Sequence, residues 1–506
     1  MKKLFLLLAC IPIFCFGQWN QTGIAIDGIS INDQLGDFNA IAIDSAGNTV
    51  AVGSSRNSDL GQFFGYTKIL DWDGNQWIQR GATFIGSVGF EGTGAAVDLS
   101  ANGNTVAISH PWGMNSLGYS CGVVAVYDWN GANWVQRGDT INGEGNPISN
   151  YSEDVFGSAL SLSPDGNYLA IGAPSNTQEV GVLQEQGHVR VYQWDGQEWM
   201  QMGQDIDGEI SLEEFGRSID ISADGTILAA GGRNYNIWIN GVLQLQNAGI
   251  VRTYIWNGSQ WNPRDTAITG LAQGDKFGSS VSLSDDGNRM AVSSLKVNGS
   301  NSATKIFDWN GAHWQLQSSL TGVNNAVTAP CNDLNADGNF IAIGEPWSNF
   351  GNGITRVFQW DGLQWMLIND SIQGNGPTSS INAFGTSVSL SASGSIVAVG
   401  APTQDNNGLN DAGKVYIFEN SNLVNDNQLA QIDFYYFPNP TINNLYLKSS
   451  VKIEGVLVYD ILGQELISKS EHSNEIILDM SYLNAGNYFV QMQTLYGSKT
   501  INIIKN

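Results

Sequence analysis

The clearest pattern in the chain is a short alternation of apolar with small or polar residues that recurs along most of its length. In one copy, residues 277–284 alternate, a tight turn follows at 285–288, and a second run reaches Ser293. A period of two is typical of β-strands, and Asp-Gly-Asn is a turn sequence because its glycine supplies positive φ. A third run ends at Trp309 and a fourth begins at Trp314, after another glycine-containing turn. Each copy therefore predicts four antiparallel strands.

Six copies carry the motif Trp-Asp/Asn-Gly-x-x-Trp, and a degenerate seventh ends at Phe418-Glu419-Asn420. The first aromatic residue recurs every 51 to 65 residues. A period of this size indicates a solenoid, a propeller or an array, in which neighbouring units bury each other's faces. The motifs begin at Trp72, Trp129, Trp194, Trp256, Trp309 and Trp360.

The two ends of the repeat region favour a closed ring. Residues 19–23 copy the fourth strand of the other repeats, whereas the last repeat stops after its third strand at Phe418. The N-terminal strand is therefore expected to complete the last unit, which avoids the free strand edges of an open array. The predicted fold is all-β: a seven-bladed β-propeller over residues 18–419, closed by its N-terminal strand.

A second motif, Phe-Gly followed by Gly-Ala-Pro, occurs at 156–157 with 172–174 and at 384–385 with 400–402. This pairing resembles the FG-GAP repeats of integrin-α-type propellers. The resemblance implies a calcium loop of the form Asp-x-Asp/Asn-x-Asp-Gly, and Asp333, Asn335 and Asp337 match its first half. Its last ligand position is Ile341, and calcium takes about 6–8 oxygen ligands. We therefore expect no cofactor; calcium at these three residues is the alternative to an Asp that bonds its own turn.

The residues after an Asn-rich linker at 420–433 alternate again and predict a small Ig-like β-sandwich over 434–506. This stretch resembles the type A C-terminal sorting domain of the type IX secretion system of Bacteroidetes. The residues taken as the sorting motif are Pro438, Asn439, Pro440, Gly463 and Gly486. The resemblance implies the type IX secretion machinery as a partner. It also implies removal of the domain, with the rest attached to the outer cell surface or released.

The N-terminus reads as a secretory signal peptide over residues 1–17. Two lysines precede an apolar run from Leu4 to Phe16, and cleavage is expected after Gly17. A lipobox-like stretch at 7–10 makes a lipoprotein the alternative. No later segment is a candidate membrane span, so the expected location is extracellular.

Charge is distributed unevenly along the chain. The net charge is -25; residues 434–506 hold six acids and five lysines and the signal holds two lysines, which leaves -26 on residues 18–433. Such acidity argues against nucleic acid and anionic membranes as partners. Cys121 and Cys331 are expected to be small buried packing residues, with a disulfide as the alternative.

Recognised catalytic motifs are missing from the sequence, so no enzyme activity is expected. Recognition is expected instead in the loops that vary between repeats, which share one end of the ring. The candidate ligand-binding residues there are Trp112, Trp347, Trp238, Tyr235, Arg233 and His110, with Phe63 in the same loops.

The expected function is binding or adhesion at the cell surface, to an extracellular glycan or protein. The first alternative is an extracellular hydrolase or lyase that acts on polysaccharide at the propeller mouth, since a fold does not fix a function. The second alternative is a lectin that uses the repeated Trp residues.

Overall fold

The computed structural model describes residues 18–59, 62–87, 89–116, 118–144, 154–177, 185–295, 302–322, 331–374, 381–421, 423, 434–460, 464–494 and 497–506. The predicted signal peptide, most of the predicted linker and Gly463 lie outside these residues. The chain divides into two compact units, Gln18–Glu419 and a unit that holds Asn420–Asn506.

The described part of Gln18–Glu419 contains seven antiparallel sheets of at least four strands, numbered 1 to 7 along the chain. From the innermost strand outward, sheets 1 to 3 are Ile41–Ile43, Thr49–Ser54, Tyr66–Trp72, Trp77–Gln79; Val97–Leu99, Thr105–His110, Val123–Trp129, Trp134–Gln136; and Ala159–Leu162, Tyr168–Ala173, His188–Trp194, Trp199–Gln201. Sheets 4 and 5 are Phe215–Ile221, Ile227–Gly232, Ile250–Trp256, Trp261–Pro263; and Ser280–Leu283, Arg289–Ser294, Ala303–Trp309, Trp314–Thr321. Sheets 6 and 7 are Cys331–Leu334, Phe340–Glu345, Ile354–Trp360, Trp365–Leu367; and Val388–Leu390, Ile396–Ala401, Lys414–Glu419, Asn20–Gln21.

Most sheets have a short strand that continues the outermost one along the third strand. These are Phe84–Ile85, Ile141–Asn142, Ile206–Asp207, Ile268–Thr269, Ile372–Gln373 and, in sheet 7, Ile26–Asp27. Sheet 4 also carries an inserted hairpin, Ile237–Ile239 with Val242–Leu245, and sheet 6 a 3-10 turn at Asn349–Gly351.

The seven sheets close into a ring. Each innermost strand contacts the innermost strand of the next sheet, and that of sheet 7 contacts that of sheet 1. The N-terminal strand is the outermost strand of sheet 7, with Asn20 opposite Glu419 and Gln21 opposite Phe418. The predicted all-β propeller fold, with its N-terminal strand completing the last sheet, is confirmed.

The Phe-Gly and Gly-Ala-Pro motifs meet at the seams between sheets. A Cβ placed on Gly172 would lie 2.0 Å from the carbonyl oxygen of Gly216 in the next sheet, and one on Gly400 would lie 2.1 Å from that of Gly36. Only glycine allows two backbones to approach this closely. The motif therefore recurs at the seams that are closed by this glycine contact, whereas sheets 2 and 5 carry Ser109 and Ser293 at the same position.

The second Trp of each repeated motif also joins neighbouring sheets. Trp134 Nε1 donates to the carbonyl oxygen of Arg80 at 2.9 Å, and Trp199 Nε1 donates to that of Arg137 at 3.0 Å. In both cases the acceptor lies just after the outermost strand of the preceding sheet. These contacts give the repeated Trp residues a structural role, which removes the main reason to regard them as lectin sites.

The C-terminal unit is a second β fold with its own core. Its strands are Phe434–Phe437, Asn444–Tyr459, Glu465–Asp479, Gly486–Thr494 and Gly497–Lys505. Asn439 connects the start of this unit to its last strand, because Oδ1 accepts from Ile504 N at 2.8 Å and Nδ2 donates to Asn502 O at 3.0 Å. Asn439 thus has a structural role between Pro438 and Pro440, while Gly486 begins a strand.

Candidate functional site

A narrow channel runs where the innermost strands of the seven sheets meet. It contains cavities of about 140 Å³ and about 180 Å³, which share several lining residues. One position on each innermost strand faces this channel and is opposite an alanine of the second strand. In sheets 1 to 7 that position holds Ala42, Asp98, Ser161, Asp220, Ser282, Asp333 and Ser389.

The Asp and Ser side-chain oxygens at this position accept hydrogen bonds from backbone N–H groups on the innermost strand of the next sheet. Asp98 accepts from Leu162 N at 2.6 Å, and Ser161 accepts from Ile221 N at 3.1 Å. The remaining pairs are Asp220 with Leu283 N at 2.6 Å, Ser282 with Leu334 N at 2.8 Å, Asp333 with Leu390 N at 2.7 Å and Ser389 with Ile43 N at 3.2 Å. Sheets 2 to 7 therefore each provide a hydrogen-bond acceptor for the innermost strand of the next sheet.

Sheet 1 interrupts this series of hydrogen bonds because Ala42 has no side-chain oxygen. The backbone N–H that Ala42 would have served belongs to Leu99, which donates instead to Oδ1 of Asp98 at 2.8 Å. One carboxylate thus serves two edges, its own and that of the next sheet. A buried backbone N–H needs a partner, so these acids have a structural reason to be in the channel.

Burial changes the acidity of the three channel carboxyl groups. It raises the pKa of Asp98 to about 7, that of Asp220 to about 6 and that of Asp333 to about 8, against opposing backbone hydrogen bonds. Perturbed acids in a cleft are candidates for catalysis. Both cavities are smaller than the roughly 300–1,000 Å³ of ordinary ligand sites. The channel is therefore small for a site that would hold a sugar chain.

The three calcium candidates lie close in sequence but make separate contacts. Asp333 accepts from Leu390 N in the channel, whereas Asn335 Oδ1 accepts from Phe340 N at 2.8 Å. Asp337 Oδ1 accepts from Asn339 N at 2.9 Å, within its own turn. Among the residues that the structure describes, no group of three His, Cys, Asp or Glu side chains is placed to hold a metal ion. Cys121 and Cys331 are both free and buried, as predicted.

The loops between the second and third strands, and those between successive sheets, lie at one end of the ring because the strands alternate in direction. This end is called the loop face below.

Three of its predicted ligand-binding residues are held in structural contacts. His110 Nδ1 lies 2.8 Å from Thr93 Oγ1, and burial lowers the pKa of this imidazole. Arg233 Nε donates to Glu214 at 2.6 Å, and Tyr235 packs on the Arg252 guanidinium.

The other three predicted residues are exposed on the loop face. Trp112 and Trp347 are 42% and 48% exposed, and Trp238 is 54% exposed. Trp238 belongs to the inserted hairpin of sheet 4, whose turn at Asn240 and Gly241 has positive φ at both residues. Trp112, Trp238 and Trp347 come from different sheets, so the structure does not gather them into one compact pocket.

A cluster of exposed rings lies on sheets 1 and 2, and we call Phe63, Phe90 and Trp112 the aromatic platform. The rings of Phe63 and Phe90 lie 5.9 Å apart. Trp112 packs on Gly92, where an added Cβ would lie 2.4 Å from the indole. Sequence reasoning missed Phe90. Its signal was a bulky apolar residue directly before Glu91, at the position that Leu212 and Ile381 occupy in other units.

Comparison with known families supports the two resemblances seen in the sequence. Residues 435–506 match the secretion system C-terminal sorting domain, and residues 378–418 match the FG-GAP repeat. The chain is therefore a secreted β-propeller protein with a sorting domain of the type IX secretion system. That domain implies that the secretion machinery is a partner. Among the described residues, no helix has the length and apolar character needed to span a membrane.

Comparison with individual proteins adds little. No curated protein matches the sequence. A solved structure described as a putative 6-phosphogluconolactonase from Bacteroides uniformis has a TM-score of 0.45 at 12% identity, covering 66% of this chain and 85% of that one. So loose a likeness does not bear on activity.

Proposed function

We propose that this secreted protein is a binding protein without catalytic activity, and that its loop face binds an extracellular protein. The observation that carries the proposal is the concentration of exposed apolar side chains on that face. The aromatic members are Phe63, Phe90, Trp112, Trp238, Trp347 and Phe350. Aliphatic members are Ile29, Ile31, Leu212, Leu271 and Ile381. Exposed apolar surface of this kind marks interaction sites.

The mixture of side chains favours a protein ligand over a glycan. Sugars stack on aromatic rings, but they gain little from branched aliphatic groups such as Ile31 or Leu212. Protein interfaces use both kinds of residue and are enriched in aromatic side chains at their centres. The apolar residues are also spread over several sheets, and a protein surface can span that distance.

The hydrolase or lyase alternative is less well supported. Its most suitable carboxylates are Asp98, Asp220 and Asp333, and each accepts a backbone hydrogen bond from the next sheet. A catalytic acid must instead reach its substrate. The cavities beside them are also small for a polysaccharide site.

The test uses the mature chain, residues 18–506, and arrays of purified extracellular proteins and glycans. We expect binding to protein, and we expect the double variant Trp112→Ala plus Trp347→Ala to lose most of it, because aromatic anchors dominate binding energy. Leu363→Ala is the matched control, since Leu363 is 88% exposed in a turn at the opposite end of the ring. Binding to glycans alone, or full binding by the double variant, would contradict the proposal.

A further inference from the structure

The aromatic platform is a built feature rather than a chance exposure. Phe63 and Phe90 are 41% and 56% exposed, and both have left-handed backbone conformations with φ of 53° and 64°. The equivalent loop positions of other sheets are also left-handed, at Asn32 for Phe90 and at Asn247 for Phe63, so the backbone is fixed by the repeat. What is particular to these loops is the pair of exposed rings that this backbone holds.

Hydrogen bonds between two loops enforce this conformation. Phe90 N donates to Gln62 O at 2.7 Å, and Gly92 N donates to Phe63 O at 3.0 Å. The loop of sheet 1 is thereby joined to the segment that leads into sheet 2. Trp112 extends the same surface, because its indole rests on Gly92 and its backbone N donates to Glu91 O at 3.4 Å.

The propeller that carries the platform is acidic as a whole, although the loop of Phe63 also holds one exposed cation, Arg56. Glu91, which follows Phe90 directly, is buried, and its carboxylate accepts from Ser87 N at 2.5 Å. Residues 18–433 carry a net charge of -26. The faces of aromatic rings also have negative potential and attract cations. The ring faces and the net charge of the propeller therefore both favour a positively charged group.

We propose that the aromatic platform binds Arg and Lys side chains of a basic protein segment, which would stack on Phe63, Phe90 and Trp112. The long-range field of the acidic propeller would steer such a segment to the loop face. A neutral glycan would use the rings but gain nothing from the charge. An anionic membrane would be repelled by it. This inference rests on the proposed function and assigns the chemistry of the partner.

The test measures binding of defined peptides to the mature chain by titration calorimetry. The probes are a 12-residue peptide of alternating Arg and Gly, the matching Glu and Gly peptide, and maltoheptaose as a neutral glycan. The main variant is Phe63→Leu plus Phe90→Leu, which keeps apolar bulk and net charge but removes two ring faces. We expect roughly ten-fold weaker binding of the Arg peptide to this variant.

Two further variants make the result interpretable. Trp112→Leu alone should weaken binding several-fold, and it remains informative if the double variant melts early. Leu363→Ala removes an exposed apolar side chain at the opposite end of the ring without changing charge, and it should bind as the wild type does. Raising the salt concentration should weaken binding to the wild type, because the attraction is partly electrostatic.

Three results would overturn the inference. They are unchanged affinity in both platform variants, which would mean that net charge alone holds the peptide; binding of maltoheptaose in preference to the Arg peptide; and an equal loss in Leu363→Ala. If the protein array still shows a ligand in any of these cases, the proposed function survives and only the platform assignment fails. If the array shows no protein ligand, both fail.

Discussion

Asn332 donates a hydrogen bond from Nδ2 to the hydroxyl oxygen of Ser293, 2.7 Å away, and so joins the innermost strand of sheet 6 to the second strand of sheet 5. The same amide donates to Ser280 O at 3.3 Å. The equivalent positions in the other sheets hold Ile41, Val97, Leu160, Ile219, Val281 and Val388. This seam is therefore joined by polar contacts where its neighbours are apolar.

Asn332→Ala should destabilise the propeller by about 1 kcal/mol, because it removes the two hydrogen bonds that Nδ2 donates across the seam, while Ser293 Oγ keeps its hydrogen bond with Thr304 Oγ1. Guanidinium unfolding followed by Trp fluorescence measures this unit alone, since every Trp lies between residues 19 and 365. A double-mutant cycle with Ser293→Ala should give a coupling energy of about 0.5 kcal/mol or more. Additive effects of the two substitutions would contradict the inferred link.

Gly172→Ala should be among the most damaging single substitutions in the ring. Its Cβ would lie 2.0 Å from the Gly216 carbonyl oxygen, so the two sheets must separate. We expect a loss of about 3 kcal/mol, at the upper end of the overpacking range. Gly89→Ala is the control, because its nearest neighbours would lie 3.5 Å and 3.6 Å from the added atom. Similar melting of both variants would mean that the seam yields more easily than the contact suggests.

The channel acids should make the propeller less stable as pH rises from about 4 to about 8. Burial raises the folded pKa of Asp98, Asp220 and Asp333 above the ordinary value of 3.8, so the folded state holds protons that the unfolded state has released. Stability falls with pH wherever the folded state binds more protons.

Asp333→Asn tests this prediction, because its amide oxygen can still accept from Leu390 N. At pH 8 the variant should be more stable than the wild type by at least about 1.4 kcal/mol, the equivalent of one pKa unit. At pH 4 the two should be nearly equal. The measurement is unfolding at both pH values, and a difference of the same size at both would show that the carboxyl group does not titrate as described.

Removing residues 18–28 should leave sheet 7 without its outermost strand. The edge of Lys414–Glu419 would then be free to pair with other chains, as exposed edges do. We expect a lower melting temperature and higher oligomers in size-exclusion chromatography. Trp19→Phe is the milder comparison and should change little, since its bond to Ile368 O is long at 3.4 Å. A truncated chain that stays monomeric and melts normally would show that the ring does not need this closure.

The sequence was sufficient for the ring and the sorting domain because both are encoded by recurring or contiguous motifs. The turn at 285–288, the Trp motifs and the copy at Trp19 each report a local structure, and their order reports the topology. The hydrogen bonds between neighbouring innermost strands in the channel were not predicted. The hydrogen bonds of Asp98 and Asp220 cross from one sheet to the next, and the period of a repeat does not show which residues meet across that distance.

The candidate site was predicted only in part for the same physical reason. Trp112, Trp238 and Trp347 were found because they interrupt the repeat in variable loops, and all three are exposed. His110 and Arg233 also lie in variable loops. Their partners Glu91 and Glu214 come from the segment that leads into the same sheet, and these contacts show that His110 and Arg233 stabilise the loops. A polar loop residue can bind a ligand or stabilise the loop, and only its contacts in the structure distinguish the two roles.

The most direct test of the account is hydrogen exchange of the mature chain with and without a protein ligand from the binding array. The account predicts that the ligand slows exchange on the loop face, above all in residues 62–65, 89–92 and 112–116. Exchange in the opposite turns, such as 73–76 and 361–364, should not change. Protection of those turns, or of the channel strands alone, would contradict the claim that this protein binds its partner through the residues that break its repeat.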